Sequence, residues 1–306
     1  MRKPKIPNKQ SMTFGIRGNK YKDELPFVAL ELIKTLNKKK ISHFVEKNLA
    51  NLISKKLNYK VSGEVQTNGK ELVDKSDLII SIGGDGTFLS TAKLVGNSGK
   101  PIIGVNLGKL GFLAETPTHQ ITKFIEEIIQ GKYHIEERTV LQAQCESKKD
   151  RVIYGLNEIV VHQIGSVKTI EIQAYFNDQL VINYLADGLI ISTPTGSTGY
   201  ALSAGGPIVN PKSDVVVVAP MCPHTLTARP LILPDAGIFK IKVISRVPIA
   251  VTADGISKFN LDSPAIIYVK KAPYKIKLAK RLGSNYFKVL NQKLLWGEDV
   301  RKNKRY

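Results

Sequence analysis

Two cysteines in 306 residues, Cys145 and Cys222, are too few for a disulfide framework or a cysteine zinc site. Both read as buried thiols, with a single bridge between them as the alternative. No apolar run approaches membrane-spanning length, and the basic stretch Met1 to Gln10 lacks the apolar core of a signal peptide. These absences predict a cytoplasmic chain with no membrane partner. Repeats and low-complexity tracts are also missing, and 42% hydrophobic with 23% charged residues is the composition of a folded globular protein. Acidic residues are scarce: 26 Asp and Glu against 45 Lys and Arg, a formal net charge of +19. Such a balance invites a polyanionic partner, yet the lysines are spread along the chain, with short clusters only at Lys38 to Lys40 and Arg301 to Arg305. No aromatic-studded basic stripe or reading element accompanies them, so nucleic acid is not the expected partner. A basic surface that attracts phosphorylated substrates is the reading left. His162 and His224 stand alone, without metal-ligand spacing, and read as structural.

What is present centres on Asp77 to Leu89, DLIISIGGDGTFL. Leu78, Ile79, Ile80 and Ile82 are continuous rather than alternating, as in a parallel strand buried on both faces. The run ends in Gly83, Gly84 and Gly86 around one carboxylate, Asp85, and apolar spacing after Thr87 predicts a helix. Glycines there offer unusual backbone angles and let a ligand approach the main chain. A carboxylate repels phosphate but can take a proton from an attacking hydroxyl, so Asp85 reads as a general base; the alternative is a capping or turn residue.

Around this turn the pattern alternates between strand and helix: a strand at Thr13 to Arg17, a helix with Val28, Leu32 and Leu36 on one face, and an amphipathic stretch from about Ser42 to Leu57. A strand at Pro101 to Val105 follows, then a glycine-containing loop at Asn106 to Leu113 and a helix that Thr118 caps and Gly131 ends. Alternation of this kind predicts a parallel sheet with its ligand crevice at the strands' carboxyl ends. From about Tyr133 strand-like segments take over, at Val140 to Gln144, Val152 to Val161, Thr169 to Phe176, Leu180 to Tyr184, Leu189 to Ser192, Val215 to Ala219, Phe239 to Ile244, Ile249 to Thr252 and Ala265 to Val269, with Asn177-Asp178 as a hairpin turn. The expected architecture is an α/β domain over 1–134, a mostly β domain over 135–276, and a terminal segment over 277–306.

Two further stretches draw notice. Asn157-Glu158 sets an amide beside a carboxylate at the start of a strand, a pair equally at home in an ordinary loop. Asp187 to Tyr200, DGLIISTPTGSTGY, repeats the plan of an apolar strand opening into small hydroxyl and glycine residues. Its hydroxyls can bond to phosphate, ribose or base edges, or simply shape a turn. Ala201 to Ala204 then reads as a helix start.

In order along the chain, Gly83-Gly84-Asp85-Gly86-Thr87, Asn106-Leu107-Gly108 through Gly111-Phe112-Leu113, Asn157-Glu158, Asp187-Gly188, Thr193 to Thr198, Pro220 with Pro223 to Leu226, and Arg229-Pro230-Leu231 closely resemble bacterial-type NAD kinases. The first motif also resembles those of lipid kinases and 6-phosphofructokinases; the ordered set, from about Phe14 to Trp296, is far more specific. The resemblance implies an N-terminal α/β domain, a C-terminal β domain with NAD between them, and a final segment packed back on the first domain. It implies that Asp85 deprotonates the adenosine-ribose 2′-hydroxyl while the cofactor diphosphate lies along the glycine loop at Gly86. It further implies NAD contacts from Asn157, Glu158 and Asp187, and an adenosine wall made by Thr198, Gly199, Tyr200, Ala201, Leu202 and Ser203. Lys168 and Leu185 occupy variable binding positions, Lys168 either meeting a phosphate or lying exposed. ATP is the implied phosphoryl donor, Mg²⁺ the implied metal, without a protein-only cage, and a homodimer or homotetramer the implied assembly. Gly199 departs from the alanine usual in the family, and Ile256 follows Asp254 where some relatives carry a polar contact residue, so that contact is not carried over. A lipid kinase of the same superfamily and a non-catalytic dinucleotide sensor are the rival readings.

Overall fold

The structure, a computed structural model, describes residues 12–61, 64–66, 68–165 and 169–295. Met1 to Gln10, Lys168, Trp296 and the Arg301 to Arg305 cluster lie outside the described residues. Described residues up to Glu136 and from Lys277 onward form one compact unit, and Glu137–Ile276 form another.

In the first unit the strands are β1 (Phe14–Gly18), β2 (His43–Glu46), β3 (Glu64–Gln66), β4 (Leu78–Gly83), β5 (Ile102–Asn106) and the short β6 (Thr116–Pro117). Its helices are α1 (Leu25–Lys38), α2 (Lys47–Leu57), α3 (Gly69–Lys75), α4 (Asp85–Val95) and α5 (Ile121–Ile129). Every residue of β4 and β5 is buried, which is why their sequences carry no polar alternation. The strands pair in parallel in the order β3-β2-β1-β4-β5. The chain moves outward one way from β1 and the other way from β4, so a topological switch point lies between them, where open α/β sheets bind ligands.

Several local expectations shift. His43–Glu46, the front of the stretch that reads as one amphipathic segment, is a parallel strand, and the helix starts only at Lys47. The buried face of α1 is Leu25, Ala29, Leu32, Ile33 and Leu36, with Val28 at its edge. Thr118 does not cap α5: it opens a short 3₁₀ turn, and the helix begins after Gln120 with no side-chain cap. Gly131 takes the left-handed conformation (φ +73°) just past that helix.

The second unit holds two antiparallel sheets. One has the order β14 (Leu231–Pro234), β13 (Val215–Met221), β12 (Gly188–Ser192), β9 (Glu158–Gln163), β16 (Ile249–Ala253), β17 (Ser257–Leu261). The other runs β11 (Gln179–Ala186), β10 (Ile170–Phe176), β15 (Ile238–Ile244), β18 (Ala265–Arg281), with β7 (Tyr133–Cys145) and β8 (Lys148–Gly155) attached. Alternate residues of both sheets, among them Val161, Ile191, Ile172 and Ile241, share one core, the arrangement of a sandwich. Asn177 and Asp178 both have positive φ (48° and 62°) at the β10–β11 turn, the hairpin geometry their sequence predicts. A single helical turn, α6 (Tyr200–Ser203), follows β12, and α7 (Tyr286–Leu294) belongs to the first unit. Cys145 is buried, but Cys222 is exposed and both thiols are free, which corrects the expectation of two buried thiols. No helix among the described residues is long and apolar enough to cross a membrane.

Candidate active site

β4 delivers the chain into the Gly83–Gly84 turn, and α4 starts on Asp85 itself, two residues earlier than apolar spacing alone places it. None of the three glycines takes a positive φ, so unusual backbone angles are not why they are glycine. At Gly83 space is the reason. A Cβ at Gly83 would lie 2.1 Å from Thr87 Oγ1, while at Gly84 and Gly86 nothing stands within 4 Å, leaving open main chain at a helix start.

The loop after β5 turns back onto this helix start. Leu107 N–H donates to the Gly83 carbonyl at 2.7 Å, and Asn106 Nδ2 donates to the Lys109 carbonyl. Phe112 N–H donates to Asp85 Oδ2 at 2.9 Å, and Leu113 and Ala114 N–H donate to Oδ1 at 2.9 and 3.0 Å. Lys293 Nζ, on α7, completes the set at 3.0 Å from Oδ2, and it also sits 4.6 Å over the Phe112 ring. Burial pushes the Asp85 carboxyl up, but the three N–H groups and the ammonium outweigh it and hold the group below the ordinary aspartate value. Asp85 is therefore a carboxylate throughout the neutral range.

Gly111 makes this cradle possible, because a Cβ there would stand 2.1 Å from Asp85 Oδ1. Gly111→Ala is expected to displace either the loop or the carboxylate, at a cost of about 1–3 kcal/mol in stability and, for a shift near 1 Å, about 10²-fold in turnover. Thermal melting and steady-state rates on the variant check both numbers; wild-type values would show that the loop relaxes freely.

At the switch point between β1 and β4 opens a cavity of about 400 Å³ lined by Arg17, Lys20, Asn48, Gly86, Thr87 and Ser90 among others. Arg17 pairs with Glu46 at 3.7 Å and donates to the Ser90 carbonyl. Glu46 lines the cavity as well and balances Arg17, so what it offers a phosphate is Lys20 and the open main chain at the start of an eleven-residue helix.

In the second unit Asp254, which has positive φ (51°), reproduces the three-amide cradle. Its carboxylate accepts from Leu156, Asn157 and Glu158 N–H at 2.8, 2.8 and 3.1 Å, fixing the Asn-Glu pair at the head of β9. Burial outweighs the three amides and raises its carboxyl. Burial, and then the charge of Asp254, push the Glu158 carboxyl up to about 8, partly offset by Tyr200 N–H. Asn157 Oδ1 and Glu158 Oε2 are buried with no partner among the described residues, the condition of groups that await a ligand.

The hydroxyls of the Ser/Thr loop are mostly engaged within the protein, which narrows the expectation that they face a ligand. Thr193 Oγ1 donates to the Leu156 carbonyl at 2.6 Å, Ser192 Oγ to the Asn157 carbonyl at 3.2 Å, and Ser197 Oγ to the Pro194 carbonyl at 2.7 Å. Ser192 and Thr193 brace the main chain at Asn157 and Leu156, and Ser197 ties the loop to itself, so these three hydroxyls point into the protein. Of the wall residues, Tyr200 and Ser203 are exposed and Thr198, Gly199 and Leu202 half-buried, while Ala201 is fully buried against Val160, Ile190 and Val217 and has only its main chain to offer. Leu185 is exposed, and its carbonyl accepts from His224 N–H. Asp187 is half-buried between main-chain bonds to Met221 and Gln163. Three contributors escaped sequence reasoning. Gly111 lies inside the Asn106 to Leu113 motif without a role of its own, Asp254 enters only as the residue ahead of the Ile256 position, and Lys293 carries no local signal.

Residues 14–133 match the family model of the ATP-NAD kinase N-terminal domain and residues 156–281 that of the ATP-NAD kinase C-terminal domain. An NAD kinase from Flavobacterium psychrophilum is 36% identical over 293 residues, covering 95% of this chain and 100% of the relative. One from Bacteroides fragilis is 39% identical over 300 residues, with the same coverage. Among solved structures, yeast NADH kinase complexed with NADH superposes with a TM-score of 0.87 at 28% identity, covering 95% of this chain and 90% of that one. An Archaeoglobus fulgidus NAD kinase in complex with ATP shares the fold, with a TM-score of 0.73 at 22% identity over 92% of this chain and 98% of its own. With both domain models matched in order over most of its length, this chain belongs to the NAD kinase family.

Proposed function

We infer that this NAD kinase transfers the γ-phosphoryl group of ATP to the 2′-hydroxyl of the adenosine ribose of NAD, giving NADP and ADP. The observation that carries the chemistry is the Asp85 carboxylate, held ionised at the start of α4 beside the cavity at the switch point. Asp85 accepts the hydroxyl proton as the ribose oxygen bonds to the γ-phosphorus, and the bond from that phosphorus to the ADP oxygen breaks. The cavity at Lys20 and Gly86 receives the donor's phosphates.

Asn157 and Glu158 meet NAD through their unpartnered oxygens, with Asp187, Leu185 and Lys168 as further contacts and Thr198 to Ser203 as the adenosine wall. Glu158, carrying its proton below about pH 8, can donate as well as accept there. No group of three or more His, Cys, Asp and Glu among the described residues could hold a metal, and Asp85 is already surrounded by donors. The donor set fits Mg²⁺ only as an ion carried by the ATP phosphates, where it would neutralise their charge.

Tyr200, 46% exposed, serves as a stacking face for the base or ribose. Tyr200→Ala is expected to weaken NAD binding by about 1–3 kcal/mol, the scale of base stacking on an aromatic ring, with the loss in KM rather than kcat. Titration calorimetry reads it; unchanged affinity in a folded variant would return Tyr200 to the surface. Exposed apolar side chains on the second unit, Leu180, Leu226, Leu231 and Ile232, favour a homodimer or homotetramer, and light scattering that reports a monomer would contradict that assembly. Incubation of the purified protein with NAD, ATP and Mg²⁺ tests the function, through NADP formation. A lipid hydroxyl phosphorylated faster than NAD would favour a lipid kinase, and NAD binding without turnover would favour a sensor.

A further inference from the structure

The Asp85 carboxylate has no room for a substrate hydroxyl as it stands. An ionised carboxylate offers about four acceptor positions, and three main-chain N–H groups plus the Lys293 ammonium supply four donors at 2.9–3.0 Å. A hydroxyl can deliver its proton only after one donor leaves. The three amides belong to a loop fixed by the Leu107 to Gly83 and Gly111 to Ala114 main-chain bonds, so moving one means moving the loop. Lys293 is a single flexible side chain, about one-third exposed, in the last turn of α7, and its alternative resting place over Phe112 is already in contact.

We propose that Lys293 is a positioning residue for phosphoryl transfer: a displaceable counterion that holds Asp85 ionised and aimed in the substrate-free enzyme, and yields its acceptor position to the ribose hydroxyl. Lys293 lies beyond both matched family regions, which end at residues 133 and 281. The inference rests on the reading of Asp85 as the base. The ammonium keeps its protons throughout, and the hydroxyl proton goes to Asp85. Withdrawal of the ammonium also raises the carboxylate's basicity when the proton is to be taken. Lys293 is the one ion-pair partner of Asp85 among the described residues; Lys93 on α4, Lys109 in the cradle loop and Lys288 on α7 are not within ion-pair distance.

The test is the pH dependence of kcat and kcat/KM for NAD in wild type, Lys293→Met and Lys293→Arg, with Lys293→Gln as the alternative neutral variant and melting curves for each. In kcat/KM, which reports the free enzyme, both neutral variants should lose activity on acidification at higher pH than wild type, by about one pH unit, the lower end of the scale for removing an opposite charge, because Lys293 is about one-third exposed and the three amides stay in place. Their KM for NAD should not rise, because the hydroxyl no longer has to displace an ammonium, and Lys293→Arg should keep the wild-type profile. A folded neutral variant with an unmoved acid limb, or one whose KM rises at every pH, would overturn the proposal. Asp85→Asn in parallel separates this from the underlying reading: near-normal activity there removes Asp85 as the base whatever Lys293 does. With Asp85→Asn inactive and the acid limb unmoved, the counterion idea alone fails.

Discussion

Asp85→Asn is expected to lower kcat by about 10²- to 10⁴-fold, the usual contribution of a general base, while NAD affinity stays near that of wild type. The cradle adds a second consequence. The amide oxygen of asparagine can replace Oδ1 and accept from Leu113 and Ala114, but its NH₂ then faces the Phe112 N–H and the Lys293 ammonium. Donor against donor leaves buried groups unpaired, at about 1–3 kcal/mol, so the first unit should also melt earlier. Rates, calorimetry and melting on one preparation separate the two effects. Substantial turnover in a folded variant would remove Asp85 from proton transfer.

Glu158 should leave its mark on the pH dependence of stability. Its carboxyl titrates near 8 in the folded chain against an ordinary 4.5. Below 4.5 both folded and unfolded chains hold the proton and Glu158 costs nothing. Between 4.5 and 8 the unfolded chain releases it while the folded chain retains it, so stability falls across that window and the full cost stands above 8. Glu158→Gln removes the titration and the repulsion from Asp254. The variant should match wild type near pH 5 and exceed it at pH 9 by on the order of a few kcal/mol, at 1.36 kcal/mol per pH unit of displacement. Melting temperatures of the pair at the two pH values measure this. A gap that fails to open with rising pH would mean that Glu158 is already ionised in the folded chain.

These two carboxylates also show where sequence reasoning holds and where it stops. The β4 run and its glycine turn are local facts, since an uninterrupted apolar strand and three glycines around one acid constrain the chain within a dozen residues. Asn177-Asp178 is equally local. The Asp85 cradle is not: its donors lie 27 to 29 residues away, and Lys293 lies 208 away. The Asp254 cradle closes over 96 to 98 residues. Nothing in the spacing of Asp254 announces that three amides of another strand head converge on it. His43–Glu46 reads as helix because four residues on the edge of an amphipathic pattern fit either period, and only pairing with β1 decides. β18 was legible only to Val269 because the lysines at 270, 271, 275 and 277 break the apolar alternation of a strand that in fact reaches Arg281. The Ser/Thr loop reads as a ligand wall from its composition, but its hydroxyls bond within the protein: Ser192 and Thr193 to the Asn157 and Leu156 carbonyls, Ser197 and Thr198 to carbonyls of the loop itself.

The most direct test of the account is phosphorus NMR of the product made from NAD, ATP and Mg²⁺, alongside a parallel reaction with 2′-deoxy-NAD. NAD should yield a single new phosphate on the adenosine 2′-oxygen, with one ADP formed per NADP, and 2′-deoxy-NAD should bind yet give no phosphorylated product. Phosphate on any other hydroxyl, or a phosphorylated product from the deoxy analogue, would contradict the transfer proposed for Asp85.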